Sequence, residues 1–202
     1  MNTALIILDA QKIYTNPKSE MSCVDANITI ENINRLIEGF AESNNSLILF
    51  RHVNKKDGSK LGRMYDYYGE EGEFDFVEGT ELVEYDADLM APSGALEFIK
   101  NRYSAFTNKE FAKVLQQRDI RRLVICGFMT NYCCESTARD AHDLDYYVDF
   151  IIDATGTPGT DSFDQTDIRS YVREVMDEGF ARVMTTEEFI SDSQNGLDWE
   201  PS

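Results

Sequence analysis

The sequence predicts an α/β fold: a single doubly wound, Rossmann-like domain spanning 1–202, with a mostly parallel sheet of about six strands and helices on both faces. Three observations predict it. Short, continuously apolar, β-prone runs recur along the chain, as expected of strands buried on both faces. Most of the stretches between them carry apolar residues at helical spacing. No internal repeat and no Pro/Gly/Ser linker interrupts the alternation, and only 4 prolines occur.

The elements follow in order. The first strand is 4–8 (ALIIL), followed by a helix on which Ile30, Ile33, Ile37 and Phe40 recur at three and four. The second strand is 46–53 (SLILFRHV) and the third 96–99 (LEFI). A helix bearing Phe111, Val114 and Leu115 leads to a fourth strand, 123–126 (LVIC). The fifth is 147–152 (YVDFII). A helix with Ile168, Val172, Val175 and Met176 leads to the sixth, 181–184 (ARVM). Two sequences have the form of a capping box, a polar N-cap with an acid or amide three residues on: Ser162 with Gln165, and Thr185 with Glu188. Strands alternating with amphipathic helices imply right-handed crossovers and a parallel sheet.

Composition narrows the function. Apolar residues make up 42% of the chain and charged residues 28%, an ordinary folded composition. Lys plus Arg is 19 and Asp plus Glu 37, so the net charge is 19 − 37 = −18. That field repels phosphate backbones and anionic lipid, which leaves nucleic acid and membranes as poor partners. No apolar run approaches the roughly 20 residues that cross a bilayer. The N-terminal MNTALIILDAQ lacks a basic region before its apolar stretch, so it reads as a strand and not a signal peptide. Cys23, Cys126, Cys133 and Cys134 fit free thiols in a reducing cytoplasm better than a disulfide framework.

One segment, at about 64–93, breaks the alternation. From 64 to 99 there is no Lys or Arg, while Asp66, Glu70, Glu71, Glu73, Asp75, Glu78, Glu81, Glu84, Asp86, Asp88 and Glu97 occur. Tyr65, Tyr67, Tyr68, Phe74, Phe76 and Tyr85 are interleaved. It reads either as a solvated acidic excursion whose aromatics pack on the domain, or as a lid or subunit contact beside a site.

In open α/β sheets, ligands bind beyond the carboxyl ends of the strands. Asp9 follows the first strand and Lys100 the third. Cys133 stands near the start of a helix after the fourth. A carboxylate, an ammonium and a thiol at one rim can make a nucleophilic site, with the Lys and the helix N-terminus favouring thiolate and the carboxylate accepting its proton. Each residue also has a plainer reading: Asp9 as a turn residue, Lys100 as a solvated charge, Cys133 as a small buried apolar group.

Four segments carry a resemblance to a known family. They are LIILDAQKIY with its Asp-x-Gln, FIKNRYSAF with its Lys and Ser-Ala-Phe, LVICGFMTNYCCESTARDA with its Gly-x-x-Thr and Cys-x-x-x-Thr-Ala, and VDFIIDATGT. In this order and over most of 4–160, the chain resembles the isochorismatase-like cysteine hydrolases. The resemblance implies a triad of Asp9, Lys100 and Cys133, with Cys134 a neighbouring core position and Cys126 a strand residue. It also implies a non-proline cis peptide at Phe128–Met129 and an oxyanion hole made by the backbone N–H groups of Met129 and Cys133. The nicotinamidases of this family hold a metal through Asp-x-His and further histidines. With only His52 and His142, this chain is expected to bind no metal and to need no cofactor. Both histidines read as capping or packing residues, with a polar contact near a pocket mouth as the alternative for His52.

The resulting expectation is a metal-independent hydrolase of C–N bonds in a small amide, ureido or carbamoyl compound, working through a thioester. Its partner is a small-molecule substrate, and a homo-oligomer is expected. Isochorismatase-type vinyl-ether hydrolysis, releasing pyruvate, is the rival reaction, and a non-catalytic binding protein the rival class. Tyr14, Tyr103 and Phe128 are candidate pocket walls by position, as are the aromatics of 65–76. No G-x-G-x-x-G, P-loop or G-x-S-x-G motif is present, which disfavours dinucleotide, P-loop and serine-elbow chemistry.

Overall fold

A computed structural model describes residues 1–41, 45–66 and 73–194. Six strands form one sheet: β1 (Asn2–Leu8), β2 (Ser46–His52), β3 (Leu96–Lys100), β4 (Ile120–Phe128), β5 (Tyr147–Gly156) and β6 (Arg182–Met184). Their order is β3-β2-β1-β4-β5-β6, and all five neighbouring pairs are parallel. The chain winds outward from β1 to β3, returns to the centre, and winds outward again from β4 to β6. The reversal lies between β1 and β4, where a doubly wound sheet opens its ligand crevice.

Period-two alternation in buried strands sends successive side chains to opposite faces. Leu5, Ile7, Leu49, Val124 and Cys126 face a core closed by α2 (Ala26–Ala41) and α6 (Thr186–Gln194), through Ile30, Ile33, Ile37, Phe40 and Phe189. Ala4, Ile6, Leu8, Ile48, Phe50, Leu123 and Ile125 face a second core. That core is closed by α3 (Lys109–Gln117), α4 (Glu135–Asp143) and α5 (Gln165–Gly179). A short α1 (Lys12–Thr15) follows β1. Fully burying a residue such as Phe111 or Leu36 contributes about 1.5–3 kcal/mol, so the two cores carry most of the stability. Among the described residues no helix is long and apolar enough to cross a membrane.

The predicted strands and helices are all found, with ends that differ by a few residues. β4 starts three residues earlier, and β5 runs on to Gly156 through a register shift opposite Ile125 and Gly127. One capping box is where expected: the Glu188 carboxylate accepts from Thr185 N–H at 2.7 Å, and Thr185 Oγ1 accepts from Glu188 N–H at 3.2 Å. The other is two residues late. Asp164, not Ser162, caps α5 and is bonded reciprocally to Asp167. The carboxylate caps strongly, and an acid three residues on can reach back.

The described part of the acidic excursion packs on the sheet. Phe76 and Val83 join the first core. Tyr85 bridges Gln11, and Val77 bridges Asn54. Thr15 donates to Asp86 at 2.5 Å, and Lys12 pairs with Glu81. Tyr67, Tyr68, Glu70 and Glu71 lie outside the described residues.

Candidate active site

Asp9 ends β1 in a left-handed conformation, φ 52°. Aspartate tolerates that region better than most side chains. The backbone there is crowded: a Cβ on Gly127, itself at φ 117°, would lie 1.9 Å from the Leu8 carbonyl oxygen. Only glycine lets β4 pass β1 so closely, and that approach sets Asp9 beside the turn carrying Cys133. The Asp-x-Gln pattern acquires a structural meaning. Buried Gln11 donates to the carbonyls of His52 at 3.0 Å and Val83 at 2.8 Å, and accepts from His52 N–H at 2.8 Å. It clamps the ends of β1 and β2 to the excursion.

Lys100 ends β3 with its side chain fully buried. Its ammonium donates to Asp9 Oδ2 at 2.6 Å, to Cys133 Sγ at 3.1 Å and to the Arg102 carbonyl at 3.1 Å. Cys133 stands in a π-helical turn, Thr130–Cys134, that runs into α4. The Ser-Ala-Phe and Cys-x-x-x-Thr segments meet here, because Ala105 N–H donates to Thr137 Oγ1 at 3.1 Å. Phe128–Met129 is a cis peptide. Thus three residues from β1, β3 and the turn after β4 converge at the sheet's switch point.

The second oxygen of Asp9, Oδ1, is buried and has no hydrogen-bond partner among the described residues. Cys133 Sγ lies within 4.8 Å of an Asp9 carboxylate oxygen. Burial pushes the Asp9 carboxyl up from its ordinary value, against the pull of Lys100. Burial also pushes the Cys133 thiol up to about 12, and the attraction of Lys100 does not offset it. Lys100 favours the thiolate, as expected, but burial is the larger effect. For Lys100, burial pulls the ammonium down, but the charges of Asp9 and Cys133 outweigh it and hold the group protonated.

The charges explain how such a site can still make a thiolate. Carboxylate, ammonium and thiol sum to zero, and so do carboxylic acid, ammonium and thiolate. Losing the thiol proton to solvent would leave a net charge in a buried site. Passing it to Asp9 does not.

Cys133 opens into a cavity of about 230 Å³. Tyr14 and Tyr103 stand on its wall, as do Tyr65 and Phe76 from the excursion. Phe128 does not. Its ring is fully buried, stacked on Tyr14 at 5.3 Å between centroids, and serves as core behind the wall. Met21, Met64, Asp75, Met129 and Tyr132 also line it, where sequence reading names only Met129's backbone and the general aromatic stretch.

His52 also lines the cavity, buried and stacked on Phe76 at 4.3 Å. Its Nε2 has no hydrogen-bond partner among the described residues. Burial, then the charges of Lys100 and Arg102, pull it well below the ordinary histidine value, so it is neutral near pH 7. The sequence argument that two histidines cannot assemble a metal site overlooked the other donors. Ligand atoms of Asp9, His52 and Cys133 lie within 4.8 Å of one another and could hold a divalent ion. Lys100 already supplies positive charge to two of the three, so an ion there must compete with the ammonium. His142 is remote, exposed on α4 beside Asp143 and edge-on to Phe180.

A family model, the isochorismatase domain, matches residues 3–188. The chain belongs to the isochorismatase family. Curated relatives share most of its length. Ureidoacrylate amidohydrolase RutB of Azorhizobium caulinodans is 28% identical over 182 residues, 78% of this chain and 77% of that protein. RutB of Agrobacterium fabrum is 27% identical over 191 residues, 82% and 81% respectively. Among solved structures, a cysteine hydrolase from Pseudomonas syringae pv. phaseolicola superposes with a TM-score of 0.88 at 27% identity, covering 96% of this chain and 93% of that one.

Proposed function

We propose that this isochorismatase-family hydrolase cleaves the C–N bond of a small amide, ureido or carbamoyl compound through a thioester on Cys133. The observation that carries the reading is the buried Asp9 carboxylate, whose Oδ1 has no hydrogen-bond partner among the described residues, within 4.8 Å of a thiol whose sulfur is also held by Lys100. Asp9 takes the Cys133 proton through that oxygen. The thiolate attacks the substrate carbonyl carbon, and the backbone N–H groups of Met129 and Cys133 receive the developing oxyanion. The tetrahedral intermediate collapses as Asp9 protonates the departing nitrogen, leaving an acyl–sulfur bond. Asp9, again a carboxylate, takes a proton from water, which attacks the thioester. Collapse releases the acid, and the thiol regains its proton from Asp9. Lys100 stays protonated throughout and balances the negative charge as it moves between oxygen and sulfur.

The relatives named for amidohydrolysis and cysteine hydrolysis support this reading. So does the thiol itself, since a vinyl ether offers no acyl group for a nucleophile to keep. The test is a panel of amides, ureides and carbamoyl compounds assayed for ammonia or amine release, with isochorismate assayed for pyruvate. Nitrogen release lost in Cys133→Ala is expected. Pyruvate release from isochorismate by both wild type and Cys133→Ala would replace this reading with vinyl-ether hydrolysis.

A further inference from the structure

The cavity above Cys133 carries a charge pattern that the hydrolytic mechanism does not use. Its wall is apolar and mostly aromatic, with Tyr14, Tyr65, Phe76, Tyr103 and Tyr132 beside three methionines, and its one charged side chain among the described residues is the carboxylate of Asp75. Among the described residues no Lys or Arg lines it. Of the cations that act on the cavity, Lys100 has its ammonium on Asp9, Cys133 and the Arg102 carbonyl, and Arg102 has its guanidinium on the carbonyls of Lys60 and Asn101. His52 is uncharged, as argued above.

We propose that this cavity selects its substrate by positive charge. It takes an amide or ureide that carries an ammonium or other cationic group, with the reacting carbonyl at Cys133 and the cation against Asp75 and the tyrosine faces. This rests on the C–N hydrolase reading and names the substrate class for the same site.

Three physical points carry it. A carboxylate among aromatic side chains attracts a cation, through Coulomb attraction and the ring quadrupoles together. Asp75 is exposed at the mouth, and no cation among the described residues pairs with it. Partial desolvation, then repulsion from Glu20, pushes its carboxyl up, and an arriving cation relieves both. Conversely, a substrate carboxylate would meet the Asp75 carboxylate, and among the described residues no Lys or Arg lines the cavity to receive it. It would be desolvated without a partner, the costly case. Asp75 is anchored by its backbone, whose carbonyl accepts from Asn54 Nδ2 at 2.8 Å, so its side chain is free to serve a ligand.

The experiment uses three primary amides of matched length: 4-aminobutanamide (cationic), butanamide (neutral) and succinamate (anionic). Binding is measured by calorimetry on the full-length Cys133→Ala protein, and ammonia release on the wild type. The cation should bind about tenfold tighter than the neutral amide at low salt, and the anion weakest. Asp75→Asn, added to Cys133→Ala, should bring the cation-to-neutral ratio close to one, and high salt should shrink it in the parent. An anion that binds as well as the cation overturns the proposal. So does a cation without measurable affinity, or a ratio unmoved by Asp75→Asn. If the binding order holds but the wild type releases no nitrogen from any amide or ureide, the charge selection stands and the hydrolytic reading falls.

Discussion

Two buried ion clusters sit at opposite ends of the same parallel sheet. At the carboxyl ends of β1 and β3, Lys100 holds Asp9 at 2.6 Å, both side chains fully buried. Near the amino ends of β4, β5 and β6, Arg122 donates to Asp149 Oδ2 at 2.6 Å and Arg182 to Oδ1 at 2.8 Å, with Asp149 only 3% exposed. The chemistry of the pairs is alike, a carboxylate and a cation removed from water. The difference is in what is left over. Both oxygens of Asp149 are bonded, and nothing reactive adjoins them. Asp9 keeps one oxygen without a hydrogen-bond partner among the described residues, and a thiol that opens into a cavity adjoins the carboxylate. A buried salt bridge is therefore neutral evidence about function; a free valence beside a nucleophile is what separates a site from a brace.

Breaking each cluster should separate the two roles. The largest effect belongs to the nucleophile. Cys133→Ala should lower kcat by about 10⁴-fold or more while leaving the far-UV circular dichroism and the melting temperature near those of wild type. Cys134, a fully buried neighbour in the second core, is the control, and Cys134→Ala should keep most of the activity. A dead Cys134→Ala with an active Cys133→Ala would put the nucleophile one residue later.

At the brace, Asp149→Ala should cost about 3–5 kcal/mol of stability by removing the buried carboxylate that Arg122 and Arg182 share. Activity per folded molecule at low temperature should survive. Urea unfolding monitored beside kcat makes the comparison. A fall in kcat without a fall in stability would assign Asp149 to the active site.

The pH profile sharpens the same contrast. Asp9 must be ionised to accept the thiol proton, and burial raises its pKa. The acid limb of kcat/KM should therefore lie above the ordinary aspartate value of about 3.9, with activity lost as pH falls through it. Lys100 is held protonated beyond its ordinary range, so it should produce no alkaline limb below pH about 10. An acid limb at or below pH about 3.9 would remove the desolvated carboxylate from the reaction.

The smallest effect is expected from chelation. Lys100 already neutralises Asp9 and Cys133, so exhaustive removal of divalent ions should leave activity within error. Activity lost on chelation and restored by one metal would make Asp9, His52 and Cys133 ligands.

Much of this was readable from the chain because the site residues stand immediately after apolar strands, where topology alone brings them to one rim. Asp9, Lys100 and Cys133 were placed that way, and the fold followed from runs such as ALIIL and LVIC. The brace was missed, although it left a signal. Arg122 precedes LVIC directly and Asp149 sits inside YVDFII, and a charge within a buried strand must find a partner. Which partner it finds depends on register, 27 residues apart for Arg122 and Asp149, and hydrophobic pattern does not encode that. Phe128 was misplaced for a related reason: its backbone position next to the site is legible, but the direction of its ring is not. Asp75 reaches the cavity from an irregular segment with no periodicity to read.

The central claim is that Cys133 becomes acylated. Wild-type enzyme turning over a cleavable amide or ureide is quenched in acid on the millisecond scale and digested, and the peptide bearing Cys133 is weighed. A mass gain equal to the substrate's acyl group on Cys133, with one equivalent of ammonia or amine already released, is the result this account predicts. Steady turnover with an unmodified Cys133 at every quench time, under conditions where hydrolysis of the intermediate is rate-limiting, would contradict it.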